Sequence, residues 1–152
     1  MEELLGQARK VCQEAEAFSV SNLSTQAVFE ANRLKQVQTK ESTGTALRLI
    51  KDGRIGFAAT NRVGGEQDLI AMALEMAPFG AEAKFEFPGA QSYPQVSVFD
   101  PAVQSVTEET MVDLGMALIE RIKQADPEIV CEGEVSRRIS QIEIVNSVGG
   151  RV

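Results

Sequence analysis

Histidine and tryptophan are absent from this sequence, cysteine occurs twice and tyrosine once. Without histidine the chain cannot by itself carry histidine-based acid–base chemistry or an ordinary His-ligated zinc site. Cys12 and Cys131 are isolated, with no CxxC, and two thiolates without His make a poor metal set. Both are read as buried, reduced cysteines. Aromatics are only 5% of residues, which leaves Leu, Ile, Val, Ala and Met to fill the core. No apolar run approaches the roughly 18 residues of a membrane span. The N-terminus, Met1-Glu2-Glu3, is acidic, whereas a secretory signal starts basic and then apolar, so a cytoplasmic protein is expected.

Basic footprints and catalytic constellations are equally scarce. The net charge is −7, and no run of Lys and Arg is long enough to displace counterions from a nucleic acid. Arg137-Arg138 is the densest pair and reads as a solvated strand edge. Phosphate loops of the GxxxxGK[ST] or GxGxxG type are missing. Serine nucleophiles lack a histidine base, and no SxxK occurs. The carboxylate pairs Glu14/Glu16, Glu108/Glu109 and Glu132/Glu134 have the spacing of solvated faces rather than of a placed acid and base. Gly53-x-x-Gly56 superficially resembles an RNA-binding GxxG loop. A hairpin turn explains Gly53 more economically, and the acidic balance disfavours RNA. No catalytic, cofactor-binding or metal-binding residue is therefore assigned in this chain.

What is present suits one domain. The 152 residues, 43% of them hydrophobic, are enough to bury a core. Leu4, Leu5, Ala8, Val11, Cys12 and Ala15 form a helical stripe over residues 2–17, with Glu2 and Glu3 at the end where the helix dipole favours negative charge. Strands are expected at 17–23, 27–32, 34–39, 45–50 and 55–60. Asp52-Gly53 between the last two is a strong hairpin signal, and Asn32-Arg33 marks a second turn. After a loop at 61–65 a helix is expected over 66–77, stopped by Pro78 and Gly80. The Pro-containing stretch 80–101 reads as an extended crossing with strand pieces at 84–87 and 96–98, its Phe85, Phe87, Tyr93, Val96, Val98 and Phe99 wanting burial. Thr107 caps a helix over 107–124, with a Val106/Met111 staple and Met111, Leu114, Leu118, Ile119 and Ile122 on one face. Two strands follow within 128–145, then a turn over 146–152 that delivers what looks like the first step of another strand. The expectation is an α+β fold: a largely antiparallel sheet with about three helices, near 2–17, 66–77 and 107–124, packed on it. The unfinished look of the last turn suggests a single N-terminal domain, 1–152, cut from a longer multidomain protein.

The block 44–61, Gly-Thr-Ala-Leu-Arg-Leu-Ile-Lys-Asp-Gly-Arg-Ile-Gly-Phe-Ala-Ala-Thr-Asn, resembles the N-terminal domain of the TldD/PmbA family, also labelled modulator of DNA gyrase. The resemblance extends to the leading helix, to Phe29-Glu30-Ala31-Asn32-Arg33-Leu34-Lys35, to the helix from Leu69 to Ala77, and to Asn146-Ser147-x-Gly149, which is similar to the family's N-S-x-G turn. It covers nearly the whole chain. The hairpin block is distinctive, and the helices are generic. The resemblance implies a parent roughly three times larger. It implies zinc peptidases that act on peptides or unfolded segments as homo- or heterodimeric pairs of related subunits. Their metal site, an HExxxH helix joined by a later cysteine, has no counterpart here, and the PmbA-like branch lacks it altogether. Spacing through Phe99-Asp100-Pro101 is slightly closer to that branch.

The leading expectation is a non-catalytic N-terminal domain of a TldD/PmbA-type metallopeptidase homologue, serving peptide passage or subunit contacts in proteolysis. Any zinc would then lie in a full-length parent or a partner. The alternative is a free-standing protein-interaction module without a catalytic parent. Downstream sequence separates the two: a stop after Val152 favours the module, and a continuation favours the family. Direct gyrase or DNA binding rests on the family label alone, and the negative charge argues against DNA.

Overall fold

The computed structural model describes residues 1–62 and 64–152. The elements run α1 (Glu2–Ala8), β1 (Glu14–Glu30), β2 (Arg33–Lys51), β3 (Arg54–Thr60), α2 (Glu66–Met76) with a 3-10 turn at Ala77–Phe79, a one-turn α3 (Pro101–Gln104), α4 (Glu108–Ala125) and β4 (Gly133–Asn146). The strands form one sheet in the order β3-β2-β1-β4. β2 and β3 pair antiparallel from Thr45↔Thr60 to Lys51↔Arg54. The α+β expectation with an antiparallel sheet holds.

Several boundaries differ from those expected. The first helix stops at Ala8, and β1 begins at Glu14, because Ala15 and Ala17 alternate inward as strand residues. The four strands expected before Asp52 merge into β1 and β2: polar stretches such as 40–43, between the expected strands, stay extended with their side chains exposed. The two strands expected in 128–145 are likewise one, β4. The pieces 84–87 and 96–98 are not strands, and the crossing pairs with the sheet at an isolated Arg54↔Glu82 bridge. The first hairpin turns at Ala31-Asn32, φ 50° and 64°, one residue earlier than expected. The second turns at Asp52-Gly53, φ 50° and 73°, as the dipeptide predicts. The loop expected at 61–65 includes Val63, which lies outside the described residues.

The chain divides into two compact units: Met1–Ser21, Ser42–Gln95 and Gln141–Val152 in the first, Asn22–Glu41 and Val96–Ser140 in the second. In the first unit, one sheet face built from Ala15, Ala17, Leu47, Leu49, Ala58 and Val145 packs against Leu4, Leu5 and Ala8 of α1 and Leu69, Ala73 and Ala77 at α2. The approach is close. A Cβ on Gly56 would lie 2.0 Å from the Ala73 carbonyl oxygen, and one on Gly80 would lie 1.8 Å from that of Ile55. Gly80 therefore follows the helix for want of room, with an extended backbone rather than a left-handed cap.

In the second unit Ala27, Phe29, Met111 and Ile119 form the core, with Val37, Val106, Val112, Met116, Cys131 and Val135 around it. The Thr107 hydroxyl caps α4 by accepting from the Thr110 N–H at 3.1 Å. Leu114 and Leu118, expected inside, are exposed. The inward line is Met111, Gly115 and Ile119, since a Cβ on Gly115 would fall 2.1 Å from the Phe29 ring.

Candidate functional site

Strand alternation gives the first unit's sheet two faces. Ala15, Ala17, Leu47, Leu49 and Ala58 face the helices, so Glu14, Glu16, Phe18 and Val20 of β1, Ala46 and Arg48 of β2, and Phe57 and Ala59 of β3 face the other way. One end of this second face is covered by the crossing. The Phe87 N–H donates to the Glu14 carboxylate at 2.9 Å. Arg48 bonds the Glu16 carboxylate at 2.7 Å, and its guanidinium lies 5.1 Å from the centroids of both Phe85 and Phe87. The two rings meet edge to face at 5.4 Å. Glu14 and Glu16 are thus half-buried anchors rather than solvated carboxylates.

The other end is uncovered. Phe18, Val20, Gly44, Ala46, Ala59 and Asn61 line a shallow depression of about 470 Å³. A second, of about 290 Å³, runs from Phe18 and Ala46 to Phe57, Arg48 and Glu16. Phe57 is 56% exposed.

β3 is an outer strand of the sheet. The Ile55 N–H donates outward to the Ala81 carbonyl at 2.9 Å, and the Ala83 N–H donates to the Gly53 carbonyl at 2.8 Å. The outward direction of Ile55 gives, by alternation, the same direction to the backbone N–H and C=O groups of Phe57 and Ala59. Among the described residues, backbone pairing on this edge stops at Ile55. The result is an apolar sheet face beside an unpaired strand edge. It can take up extended backbone and apolar side chains, and it offers no nucleophile with a base.

The remaining features singled out in the sequence are structural. Asn146 ties its own turn: its side-chain oxygen accepts from the Val148 and Gly150 N–H groups at 3.1 and 2.8 Å, and its amide nitrogen donates to the Pro88 carbonyl at 2.8 Å. The Ser147 hydroxyl accepts from the Ala15 N–H at 2.9 Å, and Gly149 takes φ 96°. Arg151 and Val152 do pair back onto β4, through Ile144 and Val145. Arg137 is not a solvated edge: half-buried, it donates to the Val106 carbonyl and, at 3.3 Å, to the Thr25 hydroxyl. Gly53 and Gly56 are explained by the turn and by the contact with Ala73, without RNA.

Cys12 and Cys131 are free and half-buried rather than fully buried. Burial raises the Cys12 thiol above its ordinary pKa, with the Lys51 ammonium opposing. Hydrogen bonding and charge from Glu30 raise Lys35. Among the described residues no three His, Cys, Asp or Glu side chains converge into a metal-holding group, so the zinc implied by the family resemblance does not fit the residues here. No described helix is long and apolar enough to cross a membrane. The β3 groove carries no motif that marks it in the sequence. Its one signal was the alternation of Ala46, Arg48, Phe57 and Ala59 within the distinctive hairpin block.

Residues 15–77, which include the hairpin and α2, match the family described as PmbA/TldA metallopeptidase domain 1. An uncharacterized protein of Methanocaldococcus jannaschii is 24% identical over 149 residues, 98% of this chain and 35% of that protein. The fold is that of TldE from Thermococcus kodakarensis, with TM-score 0.88 and 21% identity over 100% of this chain and 36% of TldE. It is also that of a candidate modulator of a DNA gyrase from Thermotoga maritima, with TM-score 0.83 and 14% identity over 99% of this chain and 35% of that one. The chain thus spans about a third of the length of these relatives. The resemblance read from the hairpin block is borne out: residues 15–77 carry the sequence pattern of the first PmbA/TldA metallopeptidase domain, and the chain has the fold of the corresponding part of TldE and the gyrase-modulator candidate.

Proposed function

We propose that this chain is a non-catalytic N-terminal domain of a TldD/PmbA-type protein and that it contributes a docking edge for an extended peptide or unfolded segment. The observation that supports this is the β3 edge, where, among the described residues, backbone pairing ends at Ile55 while Phe57 and Ala59 remain exposed beside an apolar face. Backbone groups on such an edge bond an added strand, and the flanking side chains set which strands fit. Peptide hydrolysis, and the zinc that would serve it, then belong to a longer parent or to a related subunit paired with it.

Two assays on this chain test the reading. Incubated with zinc and an unfolded reporter peptide, it is expected to release no product, and zinc-dependent turnover by these residues would contradict a non-catalytic role. Fluorescence polarisation with a labelled extended peptide is expected to show binding that Phe57→Asp weakens about tenfold by placing a charge beside the edge. Because Phe57 is exposed, the variant is expected to keep its melting temperature. Unchanged peptide affinity would remove the edge from the site.

A further inference from the structure

Helix α2 lies over β3, with Ala73 against Gly56. One flank of α2 faces α1: Ile70 and Leu74 join the core that holds Leu4, Leu5 and Ala8, and Gln67 shares a depression with Leu4 and Gln7. At 100° per residue, Met72 and Met76 fall on the opposite flank. Since α1 occupies the inner side, that flank overhangs the outer edge of β3. Met72 and Met76 are 46% and 53% exposed, and Phe79, at the end of the following turn, is 85% exposed. Two large apolar side chains therefore stand in solvent on the helix side of the edge, as Phe57 does on the open side.

The same edge already holds one extended segment. Residues 81–83 pair antiparallel with Gly53, Arg54 and Ile55, and the unpaired stretch continues directly from that pairing. Residues 55–60 carry no charged side chain, so nothing in the strand favours a charged occupant. A strand added beside Phe57 and Ala59 would send alternate side chains to the two faces of the sheet. One set would meet Phe57 and Ala59, and the other would meet Met72 and Met76.

Resting on the β3-edge reading above, we infer that this edge is a two-sided apolar groove that selects neutral extended segments with apolar side chains on both alternate faces. The occupant is an unfolded hydrophobic run rather than an amphipathic strand. Unbranched thioether side chains adapt to differing apolar partners, so the selection is for hydrophobicity more than for shape.

The test compares two capped peptides of equal length, each with the same solubilising tail. One is Val and Ile at every core position, and the other carries Ser at alternate positions. Binding to the isotope-labelled chain is followed at the Phe57 and Ala59 amides by NMR. The fully apolar peptide is expected to bind about tenfold tighter, the scale of partly burying a few more aliphatic side chains. The double variant Met72→Gln, Met76→Gln keeps helix propensity on an exposed flank and is expected to remove that preference by bringing the fully apolar peptide's affinity down to that of the alternating one. Equal affinity for the two peptides, with the Phe57 and Ala59 amides still perturbed, would overturn two-sided selection and leave strand addition standing. A preference that survives in the methionine variant would also overturn it. No perturbation of those amides by either peptide would overturn strand addition and the selection together.

Discussion

In the first unit α2 approaches β3 through glycine and alanine, whereas in the second a helix rests on a phenylalanine ring beside an arginine clamp. Gly56 lets the Ala73 carbonyl come down onto β3 with Ala77 beside it, while Leu47, Leu49 and Leu69 fill the rest of that core. Phe29, Met111 and Ile119 do the filling in the second unit, where Arg137 ties Thr25 to Val106, and Thr25 bonds Thr39 at 3.0 Å. The difference bears on function. Small-residue packing brings α2 low over β3 and sets its outer flank beside the strand edge. A thicker helix–sheet layer would lift Met72 and Met76 away from anything bound there.

The largest effect is expected where backbone blocks a new atom. Gly56→Ala sets a Cβ 2.0 Å from a main-chain oxygen, so α2 must move. The expected loss is about 3 kcal/mol, read from urea unfolding. Gly115→Ala meets the Phe29 ring at a similar distance, but a ring can turn and alanine favours the helix, so about 1 kcal/mol is expected. Equal losses for the two would erase the distinction between the units. Arg137→Ala comes between them, at about 2 kcal/mol, because it strips a half-buried carbonyl and a buried hydroxyl of a donor. A loss near zero would return Arg137 to the solvated edge that its sequence suggests.

The smallest effect is a rate. Burial raises the Cys12 pKa, so at pH 8 the folded chain is expected to alkylate at Cys12 more slowly than the chain in urea. The sign follows from the thiolate being the reactive form: a raised pKa lowers its fraction until pH climbs past the shifted value. Equal rates in both states would mean that Cys12 is open to solvent.

How much could be read in advance follows the range of the forces involved. The Asp52-Gly53 turn, the Thr107 cap and the ends of α2 and α4 rest on neighbours within four residues, and all were legible. The strand lengths were not. Residues 40–43 look like a break, and only pairing with other strands keeps them extended. Ala15 continues a helical stripe as readily as it begins an alternating one, and the sheet decides between them. Leu114 and Leu118 fit the inward face of α4 until Phe29 takes the line at Gly115. The candidate site depends on contacts of this longer kind: where residues 81–83 stop along β3, and which flank of α2 faces α1. Its membership in the 44–61 block was readable, and its exposure was not.

Amide hydrogen exchange at Phe57 and Ala59 tests most directly whether the β3 edge takes up peptide. Among the described residues no strand lies beside these outward N–H groups, so they are expected to exchange rapidly in the free chain and to become protected, together and selectively, when a saturating fully apolar peptide is added. Unchanged exchange at both amides in the saturated complex would contradict strand addition at β3.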